Sequence, residues 1–447
     1  MTSGPKAVGI GRRRPRIARD STVAVAIFLL PAIFILAVFV VYPIGFTVIR
    51  SLFSATGNAF VGLDNYRRIV TQPRTLVALR NNAIWVMVVP IAVTSVGLVF
   101  AVLSERVSWG LAFRVLIFVP LVVSGLAAGV TFRFVYAHDP DVGLANAVVR
   151  SVTDVLRPPG AYAGARPSNP ERVAVDGETF QTAESLTTGE VAHFGFVAIP
   201  SAQIPESAAA APHHIDPGDF GDPDSIVAGV VWFDFTRGGG GTRGAVDDGE
   251  LGLPDVIVHI EHYGVTVDTT TTDRSGLFVF DGLDPGEYTI VLDERSFRTP
   301  FGGLAWLGPG LITGALIASY IWINAGFALI IIGAGLSGIN RDYIDSARVE
   351  GANELQILVR ITIPLLRQAL MVVVVTTTIS VLKIFDLVIV IAPESVQADA
   401  TVLALEMWRA SFGGARDFGL GSALAIVLFI LIIPAMVLNV RRFRLED

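Results

Sequence analysis

Two charged residues, Lys383 and Asp386, lie inside an apolar stretch of the sequence and away from its ends. A charge in the middle of a membrane-spanning helix costs about 2.5–3.5 kcal/mol on insertion scales, so it usually faces a partner, a cavity or water. The i,i+3 spacing lets the two side chains pair with one another on a helix. Two interpretations stay open, a structural ion pair and the lining of a cavity. Trp322 and Asn324 are weaker candidates for that lining, because an aromatic ring and an amide can contact a polar solute, although tryptophan also serves in packing.

A second cluster of polar residues consists of four acidic side chains, Asp234, Asp247, Asp248 and Glu250. Ca²⁺ takes six to eight oxygen ligands, and these carboxylates supply some of them. The intervening segment 237–243 contains two arginines and four glycines, so it offers few further ligands. Acidic, solvated turns are therefore the favoured interpretation of this cluster, and a calcium site is the alternative.

Several kinds of chemistry have no counterpart in the sequence. The chain lacks a Gly-x-x-x-x-Gly-Lys-Ser/Thr segment, so it is not expected to bind ATP through a phosphate-binding loop. It also lacks a zinc motif, a serine–histidine–aspartate arrangement and a basic patch suited to nucleic acid, and it contains no cysteine. We expect no catalytic residue and no cofactor in this chain.

The composition indicates a membrane protein. Of the 447 residues 52% are hydrophobic, and the mean hydropathy is +0.61, well above what a soluble domain shows. The apolar segments predict six transmembrane helices, since each reaches the roughly 20 residues that cross a bilayer; they cover residues 22–49, 82–103, 111–136, 307–335, 369–392 and 418–440.

The distribution of charge predicts the orientation. Six Lys or Arg residues precede the first predicted span, and Arg441, Arg442 and Arg444 follow the sixth. Cytoplasmic segments carry an excess of such residues, so we expect both termini in the cytoplasm, with residues 1–21 as a cytoplasmic tail. The loops then alternate, which places residues 50–81, 137–306 and 393–417 outside and residues 104–110 and 336–368 inside.

The long polar segment between the third and fourth spans predicts an inserted extracytoplasmic domain. Residues 138–300 contain 26 of the 40 acidic residues and 9 of the 33 basic ones. Residues 138–224 are rich in Pro, Ala, Gly and Asp and are predicted to be linker-like, although 191–198 has the composition of a strand. Residues 225–300 alternate β-branched and aromatic residues with turn residues, which predicts a β-sandwich with strands at 226–235, 256–262, 276–280 and 288–292.

A charged, helix-prone loop lies between the fourth and fifth spans. Its helix is expected to begin near Arg341 and Asp342, because an acidic residue suits a helix N-terminus, and to continue through Ala352 and Leu355. Pro364 is expected to follow its end, since proline is unfavourable inside a helix. We call residues 341–364 the coupling loop.

This loop resembles the coupling-loop signature of binding-protein-dependent ABC importer permeases, which is Glu-Ala-Ala, three residues, Gly, nine residues, Ile-x-Leu-Pro. The positions that match it or replace it conservatively are Asp345, Ser346, Ala347, Glu350, Gly351, Ala352, Ile361 and Pro364. In that family a short helix of the loop lies in a groove of an ATPase subunit. The resemblance implies that Gly351 permits close backbone approach and that Asp345 and Glu350 meet polar or basic groups of the ATPase.

Further segments resemble the sugar-type permeases of the same family, among them residues 60–66, 143–146, 322–339 and 382–387. The segment 382–387 and the C-terminal arginines look most similar to maltose- and α-glucoside-type permeases. A separate resemblance, carried by residues 230–234, 247–254, 270–280 and 283–288, is to the prealbumin-like B-type repeats of bacterial surface proteins.

The resemblance implies an α-helical type I importer permease in the bacterial cytoplasmic membrane, without enzymatic activity of its own. The expected partners are the lipid bilayer, a second homologous permease, two ATPase subunits that bind ATP and Mg²⁺, and an extracytoplasmic solute-binding protein. The expected substrate is a sugar, with another small solute as the alternative. A membrane-anchored adhesion protein and a secondary transporter are the rival functions, but neither requires a coupling loop.

Overall fold

A computed structural model describes residues 28–236 and 238–443. The predicted cytoplasmic tail, the first residues of the first predicted span and Arg444 lie outside the described residues. The chain divides into two compact units. The membrane unit comprises residues up to 133 together with those from 306 onward, and the insert unit comprises Phe134–Ala305.

The membrane unit is built from helices. Three of the described helices are long and apolar enough to cross a bilayer, namely α1 (Phe28–Arg50), α3 (Pro73–Arg106) and α8 (Ile312–Ser337). The number rises to five if each of two bent helix pairs is counted as one span. The sixth predicted span falls on α14 (Phe418–Phe443), whose apolar part, Phe418–Pro434, is shorter. A short helix, α2 (Asp64–Thr71), precedes α3.

Two predicted spans are not single helices. The span predicted at 111–136 consists of α4 (Gly110–Val122) and α5 (Gly125–Val135), which meet at an angle of 101°. The span predicted at 369–392 consists of α11 (Arg367–Leu382) and α12 (Asp386–Ile391). Three residues separate these two helices, and Phe385 among them has φ of −150°, which is not helical. The prediction of one continuous helix is wrong at both places.

The helices of the membrane unit approach closely where small residues meet. A Cβ added to Gly97 in α3 would lie 2.3 Å from Ala328 Cβ in α8, and one added to Gly326 would lie 2.4 Å from the Ile117 carbonyl of α4. Such contacts bring backbones together, and van der Waals packing of this kind drives helix association in lipid. Glycine is therefore required at both positions.

Two buried amides fix the segment that precedes α13 (Leu403–Phe412). Asn81 Nδ2 donates to the carbonyls of Asp399, at 2.7 Å, and Thr401, at 2.8 Å. Leu403 N donates to Asn82 Oδ1 at 2.8 Å. Because buried carbonyl and N–H groups need partners, these bonds define how α13 begins.

The insert unit begins with helix α6 (Leu144–Leu156) and continues into two β-sheets. The strands are β1 (Arg166–Pro167), β2 (Val173–Asp176), β3 (Thr179–Thr182), β4 (Leu186–Thr187), β5 (Val191–Val197), β6 (Val227–Phe233), β7 (Leu251–Gly252), β8 (Ile257–His262), β9 (Val265–Thr271), β10 (Leu277–Phe280) and β11 (Glu287–Leu292). The short helix α7 (Glu294–Phe297) follows them. One sheet has the strand order β1-β5-β6-β10, with β7 also paired to β6, and the other has the order β2-β3-β11-β8-β9, with β4 also paired to β11.

The prediction that residues 138–224 are linker-like is wrong for residues 166–197. These residues supply β1 to β5, and β5 pairs with β6 in parallel over six residue pairs from Val191 to Phe196. Phe180 and Phe196 are buried in the hydrophobic core that the two sheets share. The sheets therefore begin some 60 residues before the predicted boundary at residue 225.

The strands predicted after residue 225 are present. β6, β8, β10 and β11 lie within one or two residues of the predicted ranges, and β5 coincides with the segment of strand-like composition. Asp293 caps α7 by accepting from Arg295 N at 2.7 Å. Hydrogen bonds from the Arg295 guanidinium hold the pKa of the Asp293 carboxyl well below its usual range.

Candidate functional site

The first helix of the coupling loop is α9 (Arg341–Val349). Asn340 caps it, because its side-chain oxygen accepts from Asp342 N at 3.0 Å. Asp345 and Ser346 are exposed on this helix, whereas Ala347 is buried. The predicted start of the helix is confirmed.

The coupling loop turns sharply at Gly351. The N–H of Gly351 donates to the Arg348 carbonyl, and the N–H of Ala352 donates to the Ala347 carbonyl, both at 3.0 Å. This pair of bonds is the Schellman motif, which ends a helix with a residue in the left-handed region. Gly351 has φ of +86°, which glycine adopts at little cost. The prediction that the helix continues through Ala352 is therefore wrong.

A second helix, α10 (Glu354–Leu365), follows the turn. Asn353 and Gln356 form a reciprocal capping box at its start, which satisfies two N-terminal donors. Residues Leu358–Thr362 form a π-turn, and the helix then runs through Pro364 instead of ending before it. This π-helical segment precedes Pro364, which has no N–H to donate. A bend of 72° separates α10 from α11. Ile361 is half-buried, and Pro364 is exposed.

An ion-pair network joins the coupling loop to the end of α3. Arg348 contacts Asp345 Oδ1 at 3.2 Å and Glu354 Oε1 at 3.1 Å, and Glu354 also pairs with Arg106 of α3. The hydrogen bond to Glu354 raises the pKa of the Arg348 guanidinium. Asp345 thus has a partner within its own loop. Glu350 is exposed, and no ion pair involves it among the described residues.

Large apolar side chains are exposed on this otherwise charged loop. Tyr343 is 60% exposed, Val349 is 89% exposed and Leu355 is 69% exposed. Val349 and Leu355 lie on either side of the Gly351 turn, one near the end of α9 and the other near the start of α10. Three large apolar side chains are thus accessible to a partner on this loop. The sequence analysis did not select these residues, although their apolar character within a charged loop was a usable signal.

The charged residues predicted on the substrate pathway do not pair with each other. Lys383 follows the last residue of α11 and Asp386 is the first residue of α12, so the expected i,i+3 pairing on one helix is wrong. Asp386 Oδ2 lies 3.0 Å from where a Cβ on Gly125 would be, at the N-terminus of α5. A helix N-terminus favours a carboxylate, so this position accommodates Asp386.

Lys383 lines a mainly apolar cavity of about 400 Å³ together with Phe385 and Trp408. That this cavity belongs to a substrate pathway stays a prediction. Trp322 is half-exposed and packs edge-on against Phe132. Asn324 donates to the Tyr320 carbonyl of its own helix.

A second and more polar cavity of about 710 Å³ lies beside the first. Arg74, Gln397, Glu406 and Arg409 line it, and Trp408 borders both cavities. The sequence analysis missed these residues, because no motif marks them and the segment 393–417 was interpreted only as a loop.

The four acidic residues of the insert unit take hydrogen bonds or ion pairs from their own surroundings. Asp234 accepts from Gly244 N at 2.7 Å and Asp247 accepts from Thr242 N. Glu250 is buried, and it accepts from Thr236 Oγ1 at 3.0 Å and from Asp247 N at 3.1 Å. Asp248 contacts His213 at 3.1 Å. Among the described residues no group of three or more His, Cys, Asp or Glu side chains is arranged to hold a metal ion.

Comparisons with known proteins show which families this chain is similar to. The family described as "binding-protein-dependent transport system inner membrane component" matches residues 275–442, which include the coupling loop and α8 to α13. The SdrD B-like domain matches residues 226–300. The resemblance to importer permeases and the resemblance to surface-protein repeats are both confirmed.

Two relatives match nearly the whole chain. The osmoprotective compounds uptake permease of Synechocystis is 26% identical over 94% of this chain and 99% of its own length. The α-glucoside transport system permease of Rhizobium meliloti is 26% identical over 98% of this chain and 87% of its own length. A crystal structure of a bacterial ABC transporter that imports alginate has a chain of the same fold, with a TM-score of 0.52, 14% identity and coverage of 95% of this chain and 97% of that one. The chain is therefore similar over nearly its whole length to two ABC-transporter permeases, and its C-terminal part matches the inner-membrane component of binding-protein-dependent transport systems.

Proposed function

We propose that this permease imports a neutral sugar of the α-glucoside class. Support comes from the relatives, among which are an α-glucoside permease and a trehalose/maltose permease from Thermococcus litoralis, which is 30% identical over 31% of this chain. The cavities beside Lys383 add an aromatic wall and hydrogen-bonding groups, which suit the faces and hydroxyls of a sugar.

The observation that carries the transport mechanism is the exposed apolar surface of the coupling loop. Tyr343, Val349 and Leu355 lie on two capped helices joined by the turn at Gly351. We infer that these side chains pack into a groove on an ATPase subunit, because a rigid, partly apolar element of this kind fits a protein partner better than it fits water. The ion pair between Glu354 and Arg106 then transmits movement of the coupling loop to α3.

The other subunits of the proposed assembly are those of a binding-protein-dependent ABC importer. Six spans, with both termini and the coupling loop in the cytoplasm, pair with a second permease around a central pathway. A solute-binding protein delivers the sugar to the outer face, and two ATPases hydrolyse ATP on the inner face. ATP-driven closure of the ATPases moves the coupling loop, and the pathway opens alternately to each side.

The insert unit offers a second proposal, since it matches a surface-protein domain. It lies on the outer face in the proposed topology, where it docks the solute-binding protein. Removal of residues 161–297 tests this idea, because the two ends of the segment meet: Gly160 N donates to the Arg298 carbonyl at 2.8 Å. Docking predicts the loss of uptake in the shortened chain. Contact with cell-wall glycan instead predicts that uptake is retained.

The overall function is tested by reconstitution. The chain, its neighbouring permease, the ATPase and the solute-binding protein are assembled in proteoliposomes, and uptake of radiolabelled maltose and trehalose is measured. We expect uptake that requires both ATP and the binding protein. Uptake that persists without the ATPase would favour a secondary transporter, and retention of the ATPase by the wild-type chain but not by Gly351→Arg would link assembly to the coupling loop.

A further inference from the structure

A buried carboxylate lies in the polar cavity of the membrane unit. Glu406 on α13 is only 7% exposed, and it lines the cavity of about 710 Å³. Within the described part of the chain its carboxylate has neither a hydrogen-bond partner nor an ion-pair partner. A carboxylate that lines a cavity without a protein partner leaves its acceptor oxygens available to a ligand that enters the cavity.

The surroundings of Glu406 restrict what that ligand is. Arg409 donates to Gln397 Oε1, and Arg74 lies on the same cavity wall. The lining thus combines acceptors from carboxylate and amide groups with donors from guanidinium groups. Glu394 also lines the cavity, so two arginines face two glutamates and neither sign of charge dominates. This balance suits a neutral ligand with many hydrogen-bonding groups better than it suits an anion or a hydrocarbon.

Trp408 supplies the apolar part of such a site. It lines both the polar cavity and the cavity beside Lys383, so its side chain is accessible to a ligand in either one. A flat aromatic face packs against the carbon-bound surface of a sugar ring, while the hydroxyls at the ring edge remain free to bond.

We propose that Glu406, Gln397 and Trp408 form a vestibule subsite for a neutral polyhydroxylated ligand, in front of the cavity beside Lys383. Glu406 accepts hydrogen bonds from two neighbouring hydroxyls, and Trp408 packs against the ring. This inference rests on the proposed sugar transport and on a topology in which residues 393–417 face the outside. It assigns these residues to the step between release from the binding protein and passage through the membrane.

The test uses the assembled transporter in proteoliposomes, with saturating solute-binding protein and radiolabelled maltose as the probe. The variants are Glu406→Gln, Glu406→Asp and, as a matched control for the loss of one negative charge, Asp399→Asn, whose residue is exposed in the segment just before α13. Both maltose transported per ATP hydrolysed and ATPase activity stimulated by maltose-loaded binding protein are measured.

Glu406→Gln is expected to lower maltose transported per ATP about tenfold, since hydrogen bonds to a charged group are the stronger kind. Stimulated ATPase activity stays within about twofold of wild type, and Glu406→Asp restores part of the transport. The same amount of maltose transported per ATP in Glu406→Gln and Asp399→Asn would overturn the subsite. Loss of assembly or of ATPase activity in Glu406→Gln would overturn it as well. If the wild type fails to transport maltose, trehalose or any other α-glucoside, the proposed function itself is wrong, and the subsite fails with it.

Discussion

The left-handed turn at Gly351 predicts a graded effect of substitution on coupling to the ATPase. A Cβ added at this position meets no heavy atom within 4 Å, and φ is +86°. A side chain therefore fits in space, and the cost of Gly351→Ala arises from the backbone conformation alone. That cost is about 1–2 kcal/mol for an L-residue in the left-handed region, which corresponds to roughly a 5- to 30-fold loss of the turn relative to competing local conformations.

Asparagine separates backbone strain from side-chain bulk. It is larger than alanine but visits the left-handed region more readily. We therefore expect Gly351→Asn to retain more coupling than Gly351→Ala. Gly314→Ala is the control, because Gly314 lies within α8 without positive φ and its added Cβ also meets nothing within 4 Å.

The assay is binding-protein-stimulated uptake in proteoliposomes, together with the amount of ATPase that purifies with each variant. Gly351→Ala should lower both by up to the factor given above, Gly351→Asn should lie between alanine and wild type, and Gly314→Ala should match wild type. Activity of Gly351→Ala equal to wild type, or an asparagine variant that is worse than alanine, would refute the role assigned to the turn.

Three further predictions follow from contacts within each unit. Replacing Asn81 by leucine removes the donor to the carbonyls of Asp399 and Thr401, and the bond to Thr401 is buried. An unsatisfied buried carbonyl costs about 1–3 kcal/mol, so the thermal stability of the purified chain should fall. Unchanged stability would contradict the role given to Asn81. Burial lowers the pKa of His193 in the insert unit. The neutral imidazole is therefore compatible with the folded state above the unfolded-state pKa, and the insert unit loses stability as pH falls below about 6.5. His193→Gln should remove this loss in urea titrations followed by the fluorescence of Trp232, the single tryptophan of the insert unit, whereas the exposed His214→Gln should not. Excision of residues 161–297 should leave the ATPase bound to the membrane unit, and loss of the ATPase on excision would contradict the division into two units.

The start and position of the coupling loop could be predicted from the sequence because they depend on local chemistry. A charged segment between two apolar ones must lie in water, and the spacing from Asp345 to Pro364 matches a known signature. The break within the loop was also encoded locally, by Gly351 and by the Asn353-x-x-Gln356 capping box. The prediction of one helix through Ala352 and Leu355 overlooked both signals.

Other features depend on contacts that sequence periodicity does not report. The strands β1 to β5 are short and lie among Pro, Gly and Ala, and they gain their stability from pairing with β6 and β11 far along the chain. The break at Lys383–Phe385 is masked by apolar residues on both sides. Glu406 is one of four acidic residues in the segment 393–417, which was predicted only as a loop, and its position on α13 beside a cavity is seen only in the structure.

The central claim, that the coupling loop contacts the ATPase, is tested most directly by site-specific crosslinking, since the natural chain contains no cysteine. A photoactivatable maleimide is attached to Glu350→Cys in the loop or, as a control, to the exposed Asp284→Cys in the insert unit, before the ATPase is added. We predict that the label at position 350 crosslinks to the ATPase and that the label at position 284 does not. Absence of a crosslink at 350 in a complex that hydrolyses ATP, or an equal crosslink at 284, would contradict the claim.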